Sequence, residues 1–353
     1  MPLPERAVTF VWFGDLHLTD AGLPNHLAAQ ALIEEVNSLI RPDFAIFAGD
    51  NVQHAQPDQF QVFNPLRSRL RMPHHVLVGD HDVHQDPTGR QFRQFVGDMF
   101  GSFVLDGFRF IRLNTLEHRP VGLSDNQIAW FRSEADLAVQ ADEHIVVFQH
   151  HYPYKVWEQY DGPGLDAWRE IVQTRRVSAI FCGHTHYGQI ANDGRNIAIA
   201  TRSIGDPEGG PPGFTLAHMS GDDLALVYRT VEEIGPVVLI THPRDALLAT
   251  GPNHIVNGLD RIEARVWSLV PNLRAEARID QGNPLPMHRG ASGLWTCELD
   301  GNNLAKGEHT LQVRVSDGAG CEAAHCITFM VDSTGRYTAV PRVHPIVKGT
   351  AFC

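Results

Sequence analysis

Five short apolar runs in the first two hundred residues each end at a carboxylate or an imidazole, singly or in pairs. Thr9 to Gly14 leads into Asp15 and His17, Phe44 to Gly49 into Asp50, and His75 to Gly79 into Asp80 and His81. Ile145 to Gln149 leads into His150, and Ala179 to Gly183 into His184 and His186. Short continuous apolar runs are the pattern of strands buried on both faces, as in largely parallel sheets covered by helices. In a parallel sheet the ends of the strands share one edge, which is where open α/β sheets place their sites. The pattern therefore predicts that side chains far apart in sequence converge. In Asp15-x-His17 and His184-x-His186 an extended loop sends alternate side chains to the same side.

Segments of helical period fill the gaps, roughly 24 to 40, 57 to 71, 89 to 99, 124 to 140 and 163 to 175, so the first part reads as a layered α/β unit. Asp106-Gly107 between Val104-Leu105 and Phe108 to Leu113 predicts a hairpin. Ser124 and Gln127 fit a capping box at the start of the fourth helix. Beyond Gly183 only strands and turns are expected, near 188 to 201, 214 to 219 and 223 to 230, interrupted by the Gly/Pro-rich loop Gly205 to Gly213. From Pro236 short strands recur every ~8 to 12 residues, the rhythm of an immunoglobulin-like β-sandwich. They are expected at 237 to 241, 262 to 268, 275 to 279, 293 to 298, 309 to 315 and 325 to 331. The expected organisation is an α/β unit over 1–235 and an all-β unit with its tail over 236–353, joined near 231 to 236. The tail after Asp332 is apolar enough to pack on something.

With 353 residues, a two-domain chain is expected. A net charge of −12 disfavours a surface built to hold a nucleic-acid polymer. Any phosphate-bearing substrate must then be held by metals or a few cations. No stretch approaches the ~18 apolar residues of a membrane span, and the start shows no leader pattern, so a cytoplasmic protein without a membrane partner is expected. Cys182, Cys297, Cys321, Cys326 and Cys353 are odd in number and read as reduced thiols. Cys321-x4-Cys326 with His325 is a poor zinc motif.

A mixed carboxylate and imidazole set suits manganese, iron, zinc or cobalt rather than calcium. The series Gly-Asp15-Leu-His17, Gly-Asp50-Asn51, Gly-Asp80-His81-Asp82, Val147-Phe-Gln-His150 and Gly183-His184-Thr-His186 resembles the calcineurin-like metallophosphoesterases over residues 8 to 230. In layout it is similar to the class III cyclic nucleotide phosphodiesterases and their glycerophosphodiesterase relatives. The resemblance implies one metal on Asp15, His17, Asp50 and His186, and a second on Asp50, Asp80, His150 and His184, with Asp50 bridging. The family pattern has Gly-Asn-His where this chain has Gly79-Asp80-His81, so the ligand set carries an additional carboxylate.

Two divalent or mixed-valence transition metals ~3.5 to 4 Å apart clamp phosphoryl oxygens and generate a bridging hydroxide that attacks in line. His81 is placed to donate a proton to the leaving group, with Asp82 orienting its imidazole. Asn51, His54, His151 and Tyr152 are the candidate substrate contacts. The loop Tyr152 to Gly164, with Trp157 and Tyr160, is a candidate aromatic wall over the metals, and Gly205 to Gly213 a candidate second lid. The expected activity is hydrolysis of a small organic phosphodiester. The alternatives are a phosphomonoesterase or nucleotide pyrophosphatase on the same site, or a non-catalytic metal-dependent scaffold. Residues 236 to 331 are expected to give no metal ligand and to offer a surface for a homo-oligomer.

Overall fold

A computed structural model describes residues 6–154, 160–318 and 320–344. The first eleven strands are β1 (Ala7–Phe13), β2 (Phe44–Phe47), β3 (His74–Val76), β4 (Gly101–Leu105), β5 (Phe108–Arg112), β6 (His144–Phe148), β7 (Val177–Cys182), β8 (Gln189–Asn192), β9 (Ile197–Ala200), β10 (Gly213–Ser220) and β11 (Asp223–Thr230). The helices are α1 (Pro24–Glu35), α2 (Pro57–Arg67), α3 (Arg90–Phe95), α4 (Asp125–Gln140) and α5 (Leu165–Thr174). The apolar runs do not share one sheet. β1, β2 and β3 run parallel in a sheet of order β11-β10-β1-β2-β3, whereas β5, β6, β7 and β9 run parallel in a second sheet that also holds β4 and β8.

The alternation along each run explains the stacking. In β1, Val8, Phe10 and Trp12 face the second sheet and meet Phe110, Phe148, Ala179 and Phe181. Val11 and Phe13 face the opposite way, toward Leu32, Ile33, Phe60 and Phe63 of α1 and α2. On the far side, Ile111, Val147 and Ile180 pack on Phe131 of α4 and Ile171 of α5. Every central strand is thus covered on both faces, which is why its sequence shows no polar alternation. Between the sheets Phe10 stacks on Phe44 at 4.9 Å and meets Phe148 and Phe181 edge-on at 5.5 and 5.1 Å. Such pairs add ~0.5 to 1.5 kcal/mol each beyond buried area.

Helix ends differ from the sequence pattern for local reasons. α1 stops at Glu35 and passes into a wider turn, Val36–Ile40, closed by Arg41 in a left-handed conformation. α3 is six residues long, and its last turn closes through Val96 and Gly97 N–H groups onto Phe92. At the start of α4 the Ser124 hydroxyl accepts from the Gln127 N–H at 3.2 Å, but the reciprocal half of the box is not made. The Glu117 carboxylate takes the Ser124 N–H instead, and Gln127 reaches Asn114 and Glu117.

The remaining strands are β12 (Val237–His242), β13 (Ile255–Val256), β14 (Leu259–Trp267), β15 (Arg274–Ile279), β16 (Leu285–Pro286), β17 (His288–Arg289), β18 (Trp295–Asp300), β19 (Gly307–Ser316), β20 (Glu322–Val331) and β21 (Arg342–His344). All of them except β21 form two sheets, β12-β14-β18-β17 and β13-β20-β19-β15-β16, around Ile240, Ile262, Trp295, Val313 and Phe329. β13, β16 and β17, at two residues each, leave no periodic signal in the sequence.

This β unit is tied to the first. Trp267 packs on the α1–α2 core, and Arg265 donates to His218 Nε2 at 3.1 Å. His325 takes the Ile240 N–H on Nδ1 and donates from Nε2 to the Leu226 carbonyl, so both ring nitrogens serve backbone groups rather than a metal. The tail returns to the first unit, where β21 pairs antiparallel with β8 and Val343 packs on the α4–α5 core. Of the apolar tail, Ile346, Val347 and Phe352 lie outside the described residues, as does Cys353, read from the sequence as a reduced thiol. The described cysteines, Cys182, Cys297, Cys321 and Cys326, are free. Among the described residues no helix is long and apolar enough to cross a membrane.

Candidate metal centre

Asp15, Asp50 and Asp80 follow the carboxyl ends of β1, β2 and β3, and His150 and His184 follow β6 and β7. The two sheets face each other, so these ends meet at one rim. Their loops are bound to one another: the Leu16 and His17 N–H groups donate to the Asp50 carbonyl, Gly183 N–H to that of His150, and Ile204 N–H to that of Asp15. His17, Asp50, His184 and His186 all have positive φ, between 48 and 67°. Left-handed backbone at four non-glycine residues is strain of the kind that collects at functional sites.

Two glycines hold the approach. Gly49 has φ +99°, and a Cβ there would lie 2.4 Å from His150 Nδ1. A Cβ on Gly79 would lie 2.1 Å from Asp50 Oδ1.

The seven side chains fall into two groups that share Asp50. Asp15, His17, Asp50 and His186 form one, and Asp50, Asp80, His150 and His184 the other, with donor atoms in each group within 4.8 Å of one another. In the first, His17 Nε2 and His186 Nε2 face each other at 3.1 Å, and Asp15 Oδ2 is buried without a hydrogen-bond partner. In the second, Asp80 Oδ1 lies 3.1 Å from both His150 Nε2 and His184 Nδ1. Asp50 Oδ2 stands between the groups, 3.3 Å from His150 Nε2 and 4.0 Å from His17 Nε2, while its Oδ1 accepts the His81 N–H.

Orienting contacts complete the set. His150 Nδ1 donates to the Ala48 carbonyl at 2.7 Å, which leaves Nε2 as the lone-pair atom. His184 N–H donates to Asp15 Oδ1, and Asp206 lies 3.5 Å from His186 Nδ1. The Ser203 hydroxyl donates to the Asp15 carbonyl. Asp206 and Ser203 belong to the loop that follows β9, and no motif marked either.

The buried carboxylates and imidazoles shift one another's titration. Burial alone would lower the His150 pKa, but Asp50 and Asp80 lift it well above the ordinary value. Burial would raise Asp50 and Asp80, yet His150, joined by His184 at Asp80, holds both below the carboxylate range. His17, burial being the main cause, is shifted down. Facing nitrogens, an orphaned carboxylate oxygen and three clustered carboxylates fit cations at these positions.

Around the centre the structure corrects several expectations. Asp82 does not orient the His81 ring. Its buried carboxylate accepts the N–H groups of Asn51, Val52 and Gly79 and the Asn51 amide, while burial and Asp50 push its pKa up to about 8. The His81 ring is set by the Gln53 carbonyl, 2.9 Å from Nδ1, and meets His17 edge-on at 4.6 Å. Asn51 is fully buried; its amide N–H groups go to Leu77 and Asp82, and its Oδ1 has no hydrogen-bond partner.

Tyr152 is buried in the α4–α5 core, where burial raises its pKa well above the ordinary value. Tyr160, expected in an aromatic wall, sits in the same core against Trp168 at 5.1 Å. Trp157 lies outside the described residues. His151 is buried, bonded to Thr115 at 2.7 Å and in ring contact with His184 at 4.5 Å. His54 is half-buried, 6.0 Å from the His84 ring.

The sequence pattern of the calcineurin-like phosphoesterase family matches residues 8–188, just over half of the chain. A glycerophosphodiester phosphodiesterase, GpdQ of Enterobacter lignolyticus, is 28% identical over 176 residues, which covers 44% of this chain and 60% of that protein. A dimetal phosphatase from Danio rerio superposes with a TM-score of 0.53 at 12% identity, over 64% of this chain and 96% of the other. The yellow lupin (Lupinus luteus) purple acid phosphatase PPD1 gives 0.52 at 15%, over 64% and 52%. The matched segment carries Asp15 through His186, so the convergent side chains and the pattern coincide. The chain is a member of the calcineurin-like phosphoesterase family.

Proposed function

We propose that this protein is a phosphodiesterase that hydrolyses a small organic phosphodiester at a dinuclear centre formed by Asp15, His17, Asp50, Asp80, His150, His184 and His186. The observation that carries the reading is the pair of four-residue groups sharing Asp50. The likeness to a glycerophosphodiester phosphodiesterase supports a diester over a monoester. When bound, two transition-metal cations supply polarisation of the phosphoryl oxygens and activation of water at neutral pH.

The chain's own groups supply position and protons. Asp50 presents Oδ2 to both halves of the site, while its Oδ1 is fixed by the His81 N–H. His150 is held to one tautomer by Ala48. His81 keeps its Nδ1–H on the Gln53 carbonyl, so the imidazolium form delivers its Nε2 proton to the departing alkoxide and the neutral ring retains the Nδ1–H. With a net charge of −12, little of the substrate's attraction comes from the surface at large.

The order β12-β14-β18-β17 against β13-β20-β19-β15-β16 supports reading the C-terminal unit as an immunoglobulin-like sandwich. Residues 1–235 and 236–353 are then two domains, and the second is a candidate surface for homo-oligomers. A panel of diesters, monoesters and pyrophosphates, assayed after loading with manganese, iron, cobalt or zinc, tests the function. Saturable turnover on diesters is expected. Turnover confined to monoesters would overturn the diesterase reading.

A further inference from the structure

The rim opposite the metal centre holds a cleft of about 530 Å3. It opens where β7 begins, at the β8–β9 and β10–β11 turns, and is closed by the segment that follows β12. Three arginines line it, Arg176, Arg195 and Arg244, together with Asp193, Asp222 and Asn253.

The two carboxylates are already engaged. Asp222 pairs with His144 at 3.0 Å, and Asp193 accepts the Arg195 and Asn196 N–H groups of its own turn at 2.7 Å. Asp223, close by, takes the Asn253 amide at 2.6 Å. The guanidinium groups are not so matched. Arg176 and Arg195 are exposed and make no side-chain hydrogen bond or close ion pair among the described residues. Arg244 is 3% exposed. Its Nη1 donates to the Asp222 carbonyl at 2.8 Å, while its Nε and Nη2 are buried with no partner.

A buried guanidinium stays charged, and donors left without acceptors are destabilising. Asp222 and Asp223 offset part of the charge on these arginines, but Arg176, Arg195 and the two unpartnered Arg244 donors leave guanidinium N–H groups without acceptors around one cavity. Guanidinium groups match phosphate oxygens through paired N–H donors.

We propose that this cleft is a second, non-catalytic site that binds a phosphoryl dianion, either inorganic phosphate or the phosphoryl head of a small organic molecule. Its residues are separate from the metal-ligand set, and the proposal holds whatever the substrate of that centre is. Arg244 anchors the anion from within, and Arg176 and Arg195 close on it from the outside.

The test counts ligand bound to the full-length, metal-loaded protein by equilibrium dialysis, with inorganic phosphate in one arm and methylphosphonate in the other. R176A/R195A alters two exposed side chains and should fold, whereas Arg244→Gln could disturb the core. The double variant is expected to lose one bound anion per chain, or to bind it at least tenfold more weakly, with turnover at the metal centre unchanged. Tighter binding of phosphonate identifies an organic ligand, and tighter binding of phosphate the free ion. Equal stoichiometry and affinity in the wild type and R176A/R195A would overturn the proposal.

Discussion

Asp80 is where this chain departs from the asparagine of the family pattern, and its surroundings show what the added charge does. One oxygen serves both His150 and His184 at 3.1 Å, so an amide oxygen could keep the geometry but not the full attraction. Asp80→Asn is therefore expected to leave a folded, working protein whose second cation is held about tenfold or more weakly, the scale on which a perturbed ligand shell shifts affinity. Metal titration measures it, and tighter binding would contradict the account. His81 makes a different prediction. His81→Ala should lower turnover by ~10²-fold for poor leaving groups and far less for a nitrophenolate, which departs without a proton. Equal losses on both substrates would remove the ring from that role.

At this scale the sequence revealed the residues that carry charge after strands, because chemistry and position coincide there. The groups that orient them were hidden. The Gln53 and Ala48 carbonyls are main-chain atoms with no side-chain signature, and Asp206 and Ser203 reach the site from a loop far along the chain. Adjacency also misled. Asp82 neighbours His81 in sequence, but the short helical turn His81–Val83 sends its carboxylate inward to the Asn51 backbone.

The elements that aim these side chains are short turns at strand ends, and their tolerance is small. At Gly79 even a methyl group would lie 2.1 Å from Asp50 Oδ1 and close on the Asp50 backbone. Gly79→Ala should therefore displace the shared carboxylate, abolish retention of at least one cation and lower activity by ~10²-fold or more, since ångström-scale misplacement costs that much. Circular dichroism would separate this from global unfolding. A variant with native spectrum, metal content and rate would show that the turn has slack.

Strand positions in the first unit were legible because burial on both faces leaves uninterrupted apolar runs. That the runs split into two sheets was not, since the same pattern suits either arrangement. Nor could the sequence show that β21 pairs with β8, because edge pairing is decided by backbone hydrogen bonds that any residue can make.

The molecule as a whole is held together across a seam containing buried imidazoles. His325 joins β20 to Ile240 and Leu226, and burial pushes its pKa down to about 4. His218 lies between Thr9 and Arg265, and burial, aided by Arg265, pushes its pKa down to about 3. Both rings are neutral in the folded chain, while an unfolded histidine titrates near ~6.5. Below that pH the unfolded chain binds protons that the folded chain refuses, so stability is full above ~6.5 and is lost as pH falls toward the folded values. Shifts of this size correspond to about 3 kcal/mol for His325 and about 5 kcal/mol for His218. Denaturant midpoints should therefore fall between pH 7.5 and 4.5, and H218Q/H325Q should flatten the slope. An unchanged slope in the variant would assign the acid sensitivity to other groups.

No residue of the C-terminal unit joins either candidate ligand group among the described residues. Both candidate ligand groups lie in the first unit, with Asp50 as their shared carboxylate. Metal analysis of the full chain after reconstitution and removal of excess ion tests this most directly. Two ions per chain are expected, falling to one or none in Asp50→Ala. A stoichiometry of one that excess metal does not raise would contradict a shared, dinuclear site.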